Sequence, residues 1–298
     1  MAGGASGDAV ADDRDAVNGV TDPTWAPDAL ARINAATGRA YRLGEHRPPP
    51  HPTRRQSGVW VVTDGDHRAC LKWLPGDADL AGQRAAAMTC DRLYAAGSPV
   101  PRYHFVDVIG GDGFVLMDFM PGHAVLGGRL TPGQAHHLVE LIEFQAGAAV
   151  LPAGPPNVSP SLILGWASEW TRAHPGDASE LIDAVEAIAR ELGEVRLPSG
   201  DIVHSDMNPS NFIVDSEDGD RITGIVDWEI TTTGDRAADV ATILFYLWRG
   251  TTGEVLWEGL VALCTDETLR LHVLGLVLWA LGSGKRDGAS WLLDRISG

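Results

Sequence analysis

The sequence predicts an α+β fold of two lobes, a small antiparallel-sheet N-lobe followed by a larger helical C-lobe. Three observations carry that prediction. Two hairpin patterns lie between residues 59 and 119, and helical periodicity takes over after Gly122. Within the helical half a polar loop, HSDMNPSN at 204–211, is followed by a short hairpin of its own. At 298 residues, 44% of them hydrophobic and 10 of them Trp, the chain is long enough for two lobes and a substantial core.

Taken in order, residues 1–24 are small and acidic without periodicity and read as a disordered tail. WAPDALARINAAT at 25–37 has Pro27 near its start and Gly38 at its end, the start and stop signals of a helix. RPPPHP at 47–52 reads as a stiff linker. VWVV at 59–62, the turn DGD at 64–66 and the apolar run RACLKWLP form the first hairpin, and a helix is expected from about 78 to 96. VPRYHFVDVI and GFVLMDFMPG bracket GGDG at 110–113 as the second hairpin. Helices are then expected at about 131–150, 161–173, 178–192, 235–249, 254–264, 268–282 and 287–297, with LPAGPPNVSP at 151–160 as a loop. These elements divide the chain into the tail, a sheet-rich N-lobe at 25–119 and a helical C-lobe at 120–298 that carries the polar loop.

The chemistry concentrates in 202–229. Asp206 and Asn211 stand five apart, as in a kinase catalytic loop, and Asp227 follows the hairpin FIVD and RITGIVD. Phosphoryl transfer needs Mg²⁺ held against phosphates and an acceptor hydroxyl aimed in line. Asp206 would take or orient the acceptor proton, and Asn211 and Asp227 would hold the metal. His204 reads as a prop of the loop, since Asp206 already fills the acid–base role. Only two of the 23 basic residues are lysines. Lys72, on a strand of the first hairpin, stands where a kinase-type lysine meets the α- and β-phosphates.

HSDMNPSNFIV followed by GIVDWEITTTGDRAADVA resembles the aminoglycoside phosphotransferase family, over 202–244 specifically and more weakly from about 56 to 122. The resemblance implies a protein-kinase-like two-lobed fold with a hinge and ATP or GTP as donor. It matches Asp206 to the catalytic Asp, Asn211 and Asp227 to the Mg²⁺ ligands, and Asp239 to an Asp that braces the catalytic loop from a following helix. MDFMPG at 117–122 resembles the hinge, placing Met117 and Phe119 near the adenine. Ser205, where a protein kinase has an Arg that pairs with phosphate, and the short segment after Asp227 point away from a regulated protein kinase.

Two places depart from the pattern. The phosphate-covering loop falls on TRRQSGVW at 53–60, where Ser57 and Gly58 are the candidates and Gly58 is its one glycine; Arg54 and Arg55 are adjacent. The helix expected at 78–96 holds no Glu to pair with Lys72, leaving Asp77, Asp79, Asp91 or Gln83.

The formal net charge of −17 sets the expected partners: no nucleic acid, no anionic membrane, and an attraction for cations. An acidic C-lobe cleft of Asp235, Glu254, Glu258, Asp266, Glu267 and Asp294 would suit a cationic substrate. An aminoglycoside or a basic peptide antibiotic, inactivated to give resistance, is the leading class. A metabolic kinase for homoserine, choline, a sugar or a macrolide is the alternative, and a nucleotide-binding pseudokinase the other. Three cysteines without a C-x-x-C pair argue against a disulfide framework or zinc site. With no signal peptide in view, a cytoplasmic monomer or dimer is expected.

Overall fold

In the computed structural model the described residues are 23–47, 59–76, 79–125, 129–152, 158–174, 176, 178–216 and 219–297. Most of the expected tail and linker, Arg54, Arg55, Ser57, Gly58 and Asp77 lie outside them.

Helix α1 (Ala26–Thr37) ends at Gly38, whose φ of 67° is the left-handed cap glycine adopts freely. It packs on a five-stranded antiparallel sheet made of β1 (Arg42–Arg47), β2 (Val59–Asp64), β3 (His67–Leu74), β4 (Tyr103–Ile109) and β5 (Asp112–Asp118), in the order β1-β2-β3-β5-β4. The alternation of β3 sorts its side chains. Ala69 and Leu71 enter a core with Ile33, Trp60, Phe114 and Leu116, and Trp25 seals it with ring centroids 5.1–5.3 Å from Trp60, Trp73 and Phe114. Lys72, one residue on, therefore faces the opposite side of the sheet.

Helix α2 (Ala81–Ala95) sends Ala86, Cys90 and Leu93 into a second, larger core. That core is built by α3 (Pro132–Ile142), α4 (Pro160–Ala173), α5 (Ser179–Leu192), α6 (Ala237–Leu247), α7 (Gly250–Leu263), α8 (Asp266–Gly282) and α9 (Arg286–Asp294). The helix expected at 131–150 stops at Ile142 and tightens into one 3₁₀ turn, Glu143–Gln145. The turn delivers the Gln145 side chain to Asp239, a tertiary demand that overrides helix propensity.

Two small sheets hold the polar loop. Strand β6 (His123–Ala124) pairs with β8 (Phe212–Val214), which pairs with β9 (Ile222–Ile225), while β7 (Asp201–Val203) pairs with β10 (Thr232–Gly234). Residues 204–211 thus run between two anchored strands, and Asp227 follows the end of β9. Among the described residues no helix is long and apolar enough to cross a membrane.

Candidate active site

The backbone of the loop is fixed from below by one buried carboxylate. Asp239, in the first turn of α6, accepts the N–H of His204 at 2.7 Å and of Ser205 at 3.0 Å, and the Gln145 amide at 3.0 Å. Burial pushes its pKa up, while the nearby His204 and these donors pull it back. They hold Ser205 at φ 69°, a left-handed conformation that a non-glycine residue adopts only where surroundings enforce it. Asp227 is held likewise at φ 72°.

His204 is fully buried, and its ring is committed to structure. Nδ1 accepts the Asp206 N–H at 3.2 Å, so Nε2 is the protonated nitrogen and donates to the Val226 carbonyl at 2.9 Å. Trp228 packs on that ring at 4.4 Å between centroids and donates its indole N–H to the Ile225 carbonyl at 2.9 Å.

Side-chain amides aim both oxygens of the Asp206 carboxylate. Asn208 donates to Oδ1 at 2.9 Å; Asn211 donates to Oδ2 at 3.2 Å and to the Asp206 carbonyl at 2.9 Å. With its amide nitrogen used in this way, Asn211 keeps Oδ1 as an acceptor to which no described residue donates.

Lys72 reaches the same place from the N-lobe. Its ammonium pairs with Asp227 Oδ1 and, at 2.7 Å, with Glu229. Burial alone would lower its pKa, and the two carboxylates reverse that and drive it up. Burial would likewise raise Asp227, but the Lys72 charge and hydrogen bond hold it below the usual carboxylate range.

Glu229 is therefore the Lys72 partner that the expected helix lacks. Gln83, one of the four candidates for that role, instead donates to Glu229 at 3.0 Å. Gly82 permits the approach, since a Cβ there would lie 2.6 Å from the Glu229 carbonyl oxygen. The signal was present in IVDWE, where Glu229 stands two residues beyond Asp227. Asn208 and Gln145 were also missed, because their roles depend on tertiary contacts.

A divalent cation and a nucleotide are the groups this arrangement implies. The donors suit a hard cation, since Asp227 offers a carboxylate oxygen and Asn211 an amide oxygen; among the described residues no group of three or more His, Cys, Asp or Glu side chains is placed to hold a metal ion by itself. Two protein oxygens completed by phosphate and water are what Mg²⁺ accepts. Met117 is buried on β5, whereas Phe119 lies half-buried with the Arg68 guanidinium 3.8 Å above its ring, a contact that occupies one face.

Of the six carboxylates expected to line an acidic cleft, two are taken up by partners of their own. Asp235 is buried, with its carboxylate already receiving His272 Nε2 at 2.9 Å and, at the entry to α6, the Ala237 N–H at 3.0 Å. Glu254 pairs with Arg295 at 2.6 Å. Asp266 and Glu267 occupy the first turn of α8, where acidic groups complement the helix dipole. Glu258 and Asp294 are exposed. A cavity of about 680 Å³ in the C-lobe is lined by none of these six.

Comparison with known proteins supplies the frame for this geometry. A sequence profile of the phosphotransferase enzyme family, APH, matches residues 25–271. This chain belongs to that family. Acyl-CoA dehydrogenase family member 11 of Gallus gallus is 33% identical over 98 residues, a stretch that spans 32% of this chain and only 12% of that protein. Two solved structures of phosphotransferases share the fold at low identity. A thermostable mutant aminoglycoside phosphotransferase in ternary complex with ADP and hygromycin B is 16% identical, over 90% of this chain and 96% of that one, with a TM-score of 0.56. Spectinomycin phosphotransferase in complex with ADP and spectinomycin is 13% identical, over 92% and 94%, with a TM-score of 0.58. The α+β, kinase-like architecture of this phosphotransferase-family chain is thus the one its sequence predicted.

Proposed function

We propose that the protein is a Mg²⁺-dependent kinase that moves the γ-phosphate of ATP or GTP to a hydroxyl of a small molecule. The observation that carries this reading is the Asp206 carboxylate, aimed by Asn208 and Asn211 beside the free oxygen of Asn211. Asp206 accepts the hydroxyl proton as the acceptor oxygen bonds to the γ-phosphorus. The bond from that phosphorus to the β,γ-bridging oxygen breaks, and the nucleoside diphosphate leaves with the bond's electron pair. Lys72 orients the α- and β-phosphates from the N-lobe, residues 25–119, and the acceptor lies against the C-lobe, residues 120–298. Bound Mg²⁺, held by Asp227 and Asn211, would neutralise charge that develops on the phosphates.

Family membership and the two drug-bound structural relatives support a hydroxylated small molecule, such as an antibiotic, as acceptor. The test is Mg²⁺-dependent ADP or GDP release over a panel of antibiotics and hydroxylated metabolites. Asp206→Asn should lower kcat by roughly 10²–10⁴-fold and leave nucleotide affinity nearly unchanged. Retained turnover in that variant would remove Asp206 from the mechanism. Nucleotide binding without transfer to any acceptor would support the pseudokinase instead.

A further inference from the structure

The C-lobe cavity lies between the end of α6, the start of α7, the segment at 129–130 and the turn into α9. Its charge is opposite to that of the chain as a whole. Arg129, Arg249, Lys285 and Arg286 line it, with Asp287 the one carboxylate among the described lining residues, while the protein carries a formal net charge of −17. Asp287 does little to cancel the charge of Arg249: their contact is 3.8 Å long, and both side chains are at least three-quarters exposed.

Lys285 is the informative member. Among the described residues no carboxylate pairs with it. Its Nζ reaches only the Phe245 carbonyl, at a long 3.4 Å, and stands 3.9 Å over the Phe245 ring. A lysine whose stem is desolvated and whose ammonium rests on an aromatic face keeps donors for an incoming anion. Burial without a counter-ion lowers its pKa, the opposite of Lys72. The first turn of α9 adds N–H groups that no helical carbonyl can satisfy.

Helix α6 joins the cavity to the catalytic loop: Asp239 in its first turn holds the His204 and Ser205 N–H groups, and Tyr246, roughly 10 Å further along the same helix, lines the cavity. Trp248 completes an aromatic wall.

We propose that this cavity is the acceptor site and that Lys285 binds a carboxylate or phosphate on the acceptor, whose hydroxyl is thereby presented to Asp206. The inference rests on the phosphotransfer reading above and reverses the charge expected of the substrate. Such an acceptor is an alcohol with an anionic end and a flat or apolar body that fits against Tyr246 and Trp248.

The test uses four matched aryl alcohols: 4-(hydroxymethyl)benzoate, 4-(hydroxymethyl)phenyl phosphate, benzyl alcohol and 4-(hydroxymethyl)benzylamine. Each is titrated calorimetrically into the full chain with Mg²⁺ and a non-hydrolysable ATP analogue. The two anions should bind roughly tenfold or more tighter than the neutral and cationic members. Their relative order tells a carboxylate site from a phosphate site. Lys285→Gln should erase the advantage, and Lys285→Arg should preserve most of it. Equal or better binding of the amine, no binding of either anion, or an undiminished preference in folded Lys285→Gln overturns the inference. Because the wild-type ranking needs no variant, a Lys285→Gln chain that fails to fold does not shield the idea. Asp206-dependent turnover of a polycationic drug, with no anion preference, sinks this inference and leaves the kinase reading intact. Anion binding with no Asp206-dependent turnover of any bound acceptor sinks the kinase reading instead.

Discussion

The two lysines of the chain occupy opposite kinds of site. Lys72 is 17% exposed and clamped by two carboxylates, and its proton is held more tightly than in water. Lys285 rests on a phenyl ring with no carboxylate paired to it among the described residues, and its proton is held less tightly. A cation that already has its counter-ions is a positioned tool, set in place before the nucleotide arrives. One that lacks them is a vacancy in charge that a ligand can fill. The catalytic loop shows the same saturation as Lys72, since Asp206, His204 and Asp239 all have defined partners.

The sharpest way to break this contrast is to remove the brace under the saturated site. Asp239→Ala leaves two backbone N–H groups and the Gln145 amide without their acceptor. It should cost about 3 kcal/mol in stability, read by denaturant unfolding, along with most activity. Asp239→Asn should rescue little, because an amide nitrogen must then face one of those donors. Lys285→Gln, by comparison, should change stability by less than about 1 kcal/mol. If the two substitutions cost the same, the saturated and open sites are not different in kind.

Glu229→Gln tests a smaller effect. Removing one of the two charges that hold Lys72 should raise KM for the nucleotide about tenfold, with kcat reduced less. An unchanged KM would mean that Asp227 alone positions the lysine.

Acid provides the mildest test. Asp118, at the end of β5 where the chain leaves the sheet, receives His104 at 2.6 Å and the Arg102 N–H at 3.1 Å. Burial would raise its pKa, but these partners win and lower it from 3.8 to about 2. A depressed folded-state pKa stabilises fully above the unfolded value near 3.8 and is lost as pH falls toward 2. The contribution is at most roughly 2 kcal/mol. Asp118→Asn should therefore narrow the stability gap to wild type between pH 4 and pH 2, as followed by thermal melting.

What could be read beforehand follows a physical line. Hairpins announced themselves through period-two alternation and turns, and so β2, β3, β4, β5, β8 and β9 were legible. Asp206, Asn211 and Asp227 were legible because local spacing alone brings them to one loop and the strand end after it. Glu229 was overlooked although it is only two residues from Asp227, since its partner comes from a strand more than 150 positions away. Asp235 was misjudged for another reason: composition reports a charge but not its burial, and His272 had already claimed this one. The basic cavity was invisible because its cations come from segments far apart in the chain, inside a protein whose total charge points the other way.

Both carboxylates that hold Lys72 belong to a single tripeptide, Asp227, Trp228 and Glu229, whose central indole is locked in the core. A kinase that borrows the lysine's partner from a separate helix can withdraw it by swinging that helix, and so acquires a switch. Here the lysine clamp and the candidate metal ligand share one stretch of backbone and have a single degree of freedom between them. Withdrawing one would dismantle the other. Control over such a catalyst falls to the supply of its substrates and the amount of protein made.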